Sequence, residues 1–183
     1  MFDPLGTKKS DNVAAYVISM WHIEDLMRAN KFDLARVEEL LIDPMDADAE
    51  TRDEAREWYH GLIESMKEQG IEEHGHLAEV DEVMSELEYL HRSLIEVFND
   101  EDYTALYNAA EPGIKALQKQ AGENADGPIE TCFTAIYGVM VLRAQDREVS
   151  VSTAEAESHM RRLLERLSVH YRQMRKLPGV SMN

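Results

Sequence analysis

The chain has 183 residues, of which 44% are hydrophobic and 30% charged. Folding at that size buries about 70% of the surface an unfolded chain exposes, so no disulfide or metal staple is required. Lys and Arg number 19 against 36 Asp and Glu, a formal net charge of −17. Such a field repels phosphate backbones and anionic lipid, which excludes nucleic acid and membrane surfaces as partners.

The opening residues, MFDPLGTKKSDN, lack the apolar stretch of a secretory signal. No run of about 18 apolar residues follows, so a soluble, cytoplasmic protein is expected. Val, Ile and Thr never alternate long enough for a half-buried strand, and seven helical segments account for the chain. Ser10, Asp11 and Asn12 can cap the first, which runs to Ala29. Asp33 opens the second, which stops where Asp43 precedes Pro44. The acidic run DADAETRDEAREWYH starts the third, favoured by negative charge at the positive end of the helix dipole, and Gly70 ends it. The loop IEEHGH leads to the fourth, Leu77 to Phe98.

Asn99 and Asp100 precede the fifth segment, which holds Pro112 in its middle. A proline there removes one backbone bond and clashes one turn back, so a kink or break is expected near Glu111. AGENADGP is a linker, and Pro128 suits the first turn of the sixth segment, which reaches Gln145. Ser152 with Glu155 reads as a capping box for the seventh, which ends before Pro178 and Gly179, leaving the tail LPGVSMN frayed.

Residues Val13–Ile23 and Ile129–Leu142 are apolar nearly all round, and helices of that kind lie in the middle of a bundle. The other long segments carry single apolar stripes: Val80, Met84, Leu87, Leu94 and Phe98 in the fourth, Met160, Leu163, Leu164, Leu167, Tyr171 and Met174 in the seventh. The expected fold is all-α, an irregular antiparallel bundle of about seven helices forming one domain, with two central apolar helices. Trp21, Phe133 and Met140 belong to its core.

Four ionisable groups, His22, Glu24, Asp25 and Arg28, lie inside the first apolar helix. At roughly 100° per residue, Glu24, Asp25 and Arg28 share the arc of Val17 and Trp21. Both carboxylates are spaced to reach the one guanidinium, so Arg28→Ala should destabilise more than Glu24→Ala. A rim ion-pair cluster is the bland account; a partly buried polar site is the functional one. His91 sits on the stripe of the fourth segment, Glu130 in the first turn of the sixth, and Arg143 near its other end on the arc of Cys132 and Ile136. Each has a structural excuse: a hydrogen-bonded core histidine, a carboxylate serving free amides near Gly127, a terminal arginine. Together with the first cluster they are the candidate ligand-binding residues, because unpaired burial would be costly for each.

Glu-x-x-His, a ligand motif of helical di-iron proteins, occurs at Glu57–His60, Glu73–His76 and Glu88–His91. Only the last pair faces inward, and one pair makes no dinuclear site, so no metal or other cofactor is implied. The acidic helix motifs of a nucleotide pyrophosphatase are not in register, and no phosphate loop, nucleophile elbow or Cys-x-x-Cys occurs. Cys132 is the only cysteine, a small core residue of a reducing compartment.

MWHIEDLMRA at 20–29, GHL at 75–77, LH at 90–91 and IETCFTAIYGVMVLR at 129–143 resemble a family of small bacterial proteins of unknown function, over a span from Asn12 to Arg172. The resemblance implies a helical cytosolic protein and carries no activity, substrate or cofactor. The residues themselves leave two readings. One is a non-catalytic helical protein that acts through protein–protein contact, as a homo-oligomer or in a complex. The other is a small-ligand or metal-binding protein, or an enzyme, with a polar pocket inside the bundle.

Overall fold

The computed structural model describes residues 2, 5 and 8–176, and the tail expected to fray lies outside them. Eight α-helices follow one another: α1 Lys8–Asp11, α2 Val13–Ala29, α3 Leu34–Val37, α4 Ala49–Glu68, α5 Ala78–Glu96, α6 Glu101–Ala121, α7 Pro128–Ala144 and α8 Val151–Arg175. The described residues contain no strand, so the chain is all-α. The one helix beyond the seven expected is the single turn α1.

Most helix starts follow from one side chain. Asn12, Asp33, Asp48, Asp100 and Ser150 each accept a hydrogen bond from a backbone N–H of the helix they open. The Ser152–Glu155 capping box does not form. Ser150, in extended backbone, accepts from Thr153 N at 3.2 Å, so Ser152 is already helical. The segment opened by Asp33 relaxes after one turn into a π-turn, Glu38–Ile42, closed by Asp43 N donating to Glu38 O at 2.9 Å.

α6 runs through Pro112 without a break. Tyr103, Ala110 and Ile114 of this helix are buried. The adjacent Gly113 also lets α8 approach closely: a Cβ there would lie 3.0 Å from Met160 and 3.1 Å from Ala156. α6 packs along α8 over this stretch. Phe98, expected on the α5 stripe, is 68% exposed. The helix ends at Glu96 and the chain reverses at Asn99, whose φ is +50°, so the stripe stops at Leu94.

α7 packs against α2, α5, α6 and α8, with Ile129, Cys132, Phe133, Ile136 and Val139 buried. Burial drives the Cys132 thiol up to about 12, which keeps it an uncharged core group. Yet α7 is not enclosed on all sides. Thr134 and Gly138 are exposed, and Tyr137, Met140, Val141 and Leu142 are only partly covered. Met140 is therefore a surface residue of this helix, although Trp21 and Phe133 lie in the core as expected.

Neither α5 nor α7 has a capping side chain of its own, since Leu77 and Gly127 occupy those positions. Glu88 of α5 serves α7 instead: its Oε1 accepts from Ile129 N at 2.8 Å and Glu130 N at 3.0 Å. A Cβ at Gly127 would fall on that carboxylate, so the glycine is required by close approach. Gly127→Ala and Glu88→Ala should each cost about 1–2 kcal/mol in urea unfolding. The double variant should cost clearly less than the two together, because both remove the same cap.

Candidate functional site

The groups singled out on α2 meet the loop between α4 and α5. Glu24 is completely buried. It does not share Arg28 with Asp25. Its Oε1 accepts from Leu77 N at 2.9 Å, and its Oε2 lies 2.6 Å from His76 Nδ1, whose N–H it accepts. The His76 ring lies flat on Trp21, 4.4 Å between centroids and 7° between planes, with Phe133 and Tyr137 around the other sides of the indole. Ala78 N finds its acceptor in Gln69 Oε1 at 2.9 Å. The first amides of α5 are thus satisfied from α2 and from the end of α4.

Arg28 holds the other end of the loop. Its Nε and Nη2 donate to Ile71 O at 3.3 and 3.2 Å, Nη2 also to Gly75 O, and Nη1 to Asp25 Oδ1 at 2.9 Å. Gly75 has φ +95°, a backbone that side-chain-bearing residues rarely adopt. That conformation presents its carbonyl to the guanidinium. Asp25 is half exposed and accepts a second bond, from Tyr137 OH at 2.6 Å. Burial, then the bond to Asp25, pushes the Tyr137 hydroxyl well above its ordinary range.

Of the remaining candidates, Glu130 lies within electrostatic reach of His76, and His91 and Arg143 lie elsewhere. Glu130 is half-buried and does not serve the α7 amides, which Glu88 has taken. Burial, and then the charges of Asp126, Asp81 and Glu88, raises its carboxyl. His91 is a core residue, its Nδ1 2.8 Å from the hydroxyl of the fully buried Tyr103. Burial lowers it to about 4, so it is neutral near pH 7. Arg143, half exposed, lies roughly 20 Å along α7 from Glu130 and pairs with Glu157 of α8 at 3.4 Å. Glu24, Asp25 and Arg28 gather; His91 and Arg143 lie apart from them. His76, Trp21, Tyr137 and Glu88 complete the arrangement; Trp21 was read only as core, His76 and Glu88 only as members of Glu-x-x-His pairs, and Tyr137 was not singled out. The signal for Glu88 and Glu24 was present in the missing caps at Leu77 and Gly127.

Among the described residues no group of three His, Cys, Asp or Glu is placed to hold a metal ion. Glu57 and His60 are both exposed. Two surface hollows flank α7. One, about 540 Å³, lies between α2 and α7 and is lined by Ile18, His22, Asp25, Leu26, Tyr137, Met140 and Val141. The other, about 800 Å³, lies between α6, α7 and α8 and is lined by Leu117, Ala121, Ala135, Gly138, Leu142 and Ala156 among others. None of the helices described is long and apolar enough to cross a membrane.

The fold and this arrangement define a class: an acidic all-helical bundle in which α5 and α7 receive their N-terminal hydrogen bonds from neighbouring helices, while α2 is capped by its own Asn12. The chain belongs to the family described as Domain of unknown function (DUF4924), whose model matches residues 6–177. No curated protein and no solved structure matches it. The family carries no assigned function.

The bonding reverses the order of sensitivity expected from a shared guanidinium. Glu24→Ala, which strands the Leu77 amide in the interior, should cost about 3–5 kcal/mol in denaturant melts. Arg28→Ala should cost about 1–3, and Asp25→Ala under about 1. His91 gives a pH signature. Its folded value, about 4, lies below the ordinary 6.5, so the unfolded chain binds the proton first and stability falls as pH drops from 6.5 towards 4. His91→Phe should remove up to about 1.4 kcal/mol per pH unit of that slope, read as the difference between two series of melts.

Proposed function

We propose that the protein works by contact with another protein surface, made through the outer face of α7, and that the Glu24 cluster fastens the helices behind that face. The observation that supports this most is the absence of charge. From Thr131 to Leu142 there is no Asp, Glu, Lys, Arg or His in a chain whose residues are 30% charged, and the hollows on both sides are lined mainly by apolar and small side chains. Contiguous apolar surface of this kind marks contact sites. The oxygens of Glu24, the nitrogens of Arg28 and the oxygens of Asp25 are meanwhile engaged within the chain, which suits a fastening.

A second reading is a small-ligand site beside His76. Trp21 Nε1 favours it, being buried with no hydrogen-bond partner among the described residues. An acceptor group on a ligand would satisfy it.

Two measurements separate these readings. In dilute solution an environment-sensitive apolar dye should bind the native protein, and Val141→Lys should abolish the signal without lowering the melting temperature. A dye response unchanged by Val141→Lys would count against the α7 face. Thermal-shift screening with metals and metabolites tests the other reading, which gains only from a shift that His76→Ala removes.

A further inference from the structure

We infer that the Asp126–Gly127 peptide is a site of spontaneous backbone isomerisation, and that its isoaspartyl product, a substrate for carboxyl methylation, lies in the joint between α6 and α7. The inference does not depend on the contact reading above.

An aspartate side chain can close a five-membered ring on the amide nitrogen of the next residue, and a side chain on that residue obstructs the approach. Glycine removes the obstruction. Asp126 is the only Asp or Asn in the chain that is followed by glycine. The fold itself fixes that glycine. A Cβ at position 127 would fall on the carboxylate of Glu88, so the residue that lets Glu88 cap α7 is also the residue that admits ring closure.

The structure leaves both reacting groups free. Asp126 is exposed, and its hydrogen bonds are made by the main-chain carbonyl, which accepts from Gln118 Nε2 at 2.8 Å and Thr131 Oγ1 at 3.5 Å. None of the described residues bonds to its carboxylate. Asn12, Asp33, Asp48 and Asp100 are by contrast engaged as helix caps. Gly127 holds the cap position of α7, outside the helical ladder, and its N–H donates to no backbone acceptor among the described residues.

The chemistry needs only water. Gly127 N bonds to Asp126 Cγ, and the amide hydrogen leaves with the hydroxyl of the protonated side chain as water. A water molecule then opens the imide at either carbonyl. Addition at Cγ restores aspartate. Addition at the main-chain carbonyl breaks its bond to Gly127 N, leaving a free carboxylate on Cα and a chain that runs through Cβ and Cγ. The mass is unchanged, but the main chain gains one carbon, about 1.5 Å. That carbon enters between two anchored points, the Asp126 carbonyl held by Gln118 of α6 and the Gly127 carbonyl that accepts from Thr131 N at 2.9 Å. Isomerisation therefore moves the start of α7 against Glu88 and loosens its cap.

The test is storage of the full native chain in warm neutral buffer. Isoaspartate is counted by labelled methyl transfer from S-adenosylmethionine with an isoaspartyl O-methyltransferase. It is placed by a protease that cuts before aspartate and not before isoaspartate. Wild type should gain methyl acceptors with time, all in the peptide that contains residue 126. Asp126→Glu, which needs a six-membered ring, should gain none there. Asp126→Asn should react severalfold faster and gain mass, because an amide carries no charge to repel the attacking nitrogen. Protein carrying the linkage should melt lower than fresh protein. If the native chain gains no acceptor while the same chain in urea does, the fold protects the peptide and the inference is overturned. Acceptors spread over other aspartates overturn the assignment to Asp126, and an unchanged melt overturns the loosening of the cap.

Discussion

Glu24 lies on α2, yet its carboxylate is completely buried and its two oxygens serve the residues that lead into α5. A lone carboxylate in such a place is heavily penalised by desolvation. The penalty is met here by a backbone amide, an imidazole N–H and the positive end of a nineteen-residue helix. Because α5 packs on α2, α6, α7 and α8, fixing its start relative to α2 sets the axis on which the rest of the bundle is laid. The loop that precedes it is held at both ends, by Glu24 at Leu77 and by Arg28 at Ile71 and Gly75.

The same device occurs a second time. α7 begins with Gly127 and Pro128, neither of which offers a capping side chain, and Glu88 reaches across from α5 to its free amides. Burial raises the Glu88 carboxyl, while the two backbone hydrogen bonds act to lower it. A carboxylate on α2 thus opens α5, and a carboxylate on α5 opens α7. Helices nearer the solvent, such as α4, α6 and α8, carry Asp48, Asp100 and Ser150 at their own starts. At the starts of α5 and α7 a neighbouring helix is close enough to supply the acceptor, and the local residue is then free to be whatever the close packing needs. At Gly127 that is the absence of a side chain.

This relay explains which parts of the protein were legible in its sequence. Periodicity and local caps depend on residues within a few positions of each other, so the long helices and the start signals at Asn12, Asp33 and Asp100 could be read directly. Ser152 was read as the cap because Glu155 stands three residues on, whereas the backbone places Ser150, which lacks that partner, at the helix start. Glu24 was recognised as anomalous on an apolar arc, but its partners lie more than fifty residues away, and spacing along one helix pointed to Arg28 instead. His76 was passed over as half of a Glu-x-x-His pair that does not face inward, yet its glycine-containing loop is where a histidine can turn back onto Trp21. Met140 was assigned to the core because apolar character alone does not distinguish a residue covered by its own chain from one on the open side of a helix.

That last distinction can be drawn for α7 from helix propensity. Many solvent-facing positions on α4 and α8 are filled by good helix formers with charge, such as Glu57, Glu64, Arg161 and Glu165, although Gly61 of α4 is also exposed. The outward positions of α7 hold Thr134, Gly138 and Val141, which are poor helix formers and contribute no charge. Its interior positions add Ile129, Thr131, Ile136 and Val139, which also form helix weakly by themselves. α7 is therefore helical because Glu88 caps it and four neighbours bury one side of it, and not because of its own residues. A helix supported in that way has no local need for Gly138 at its surface.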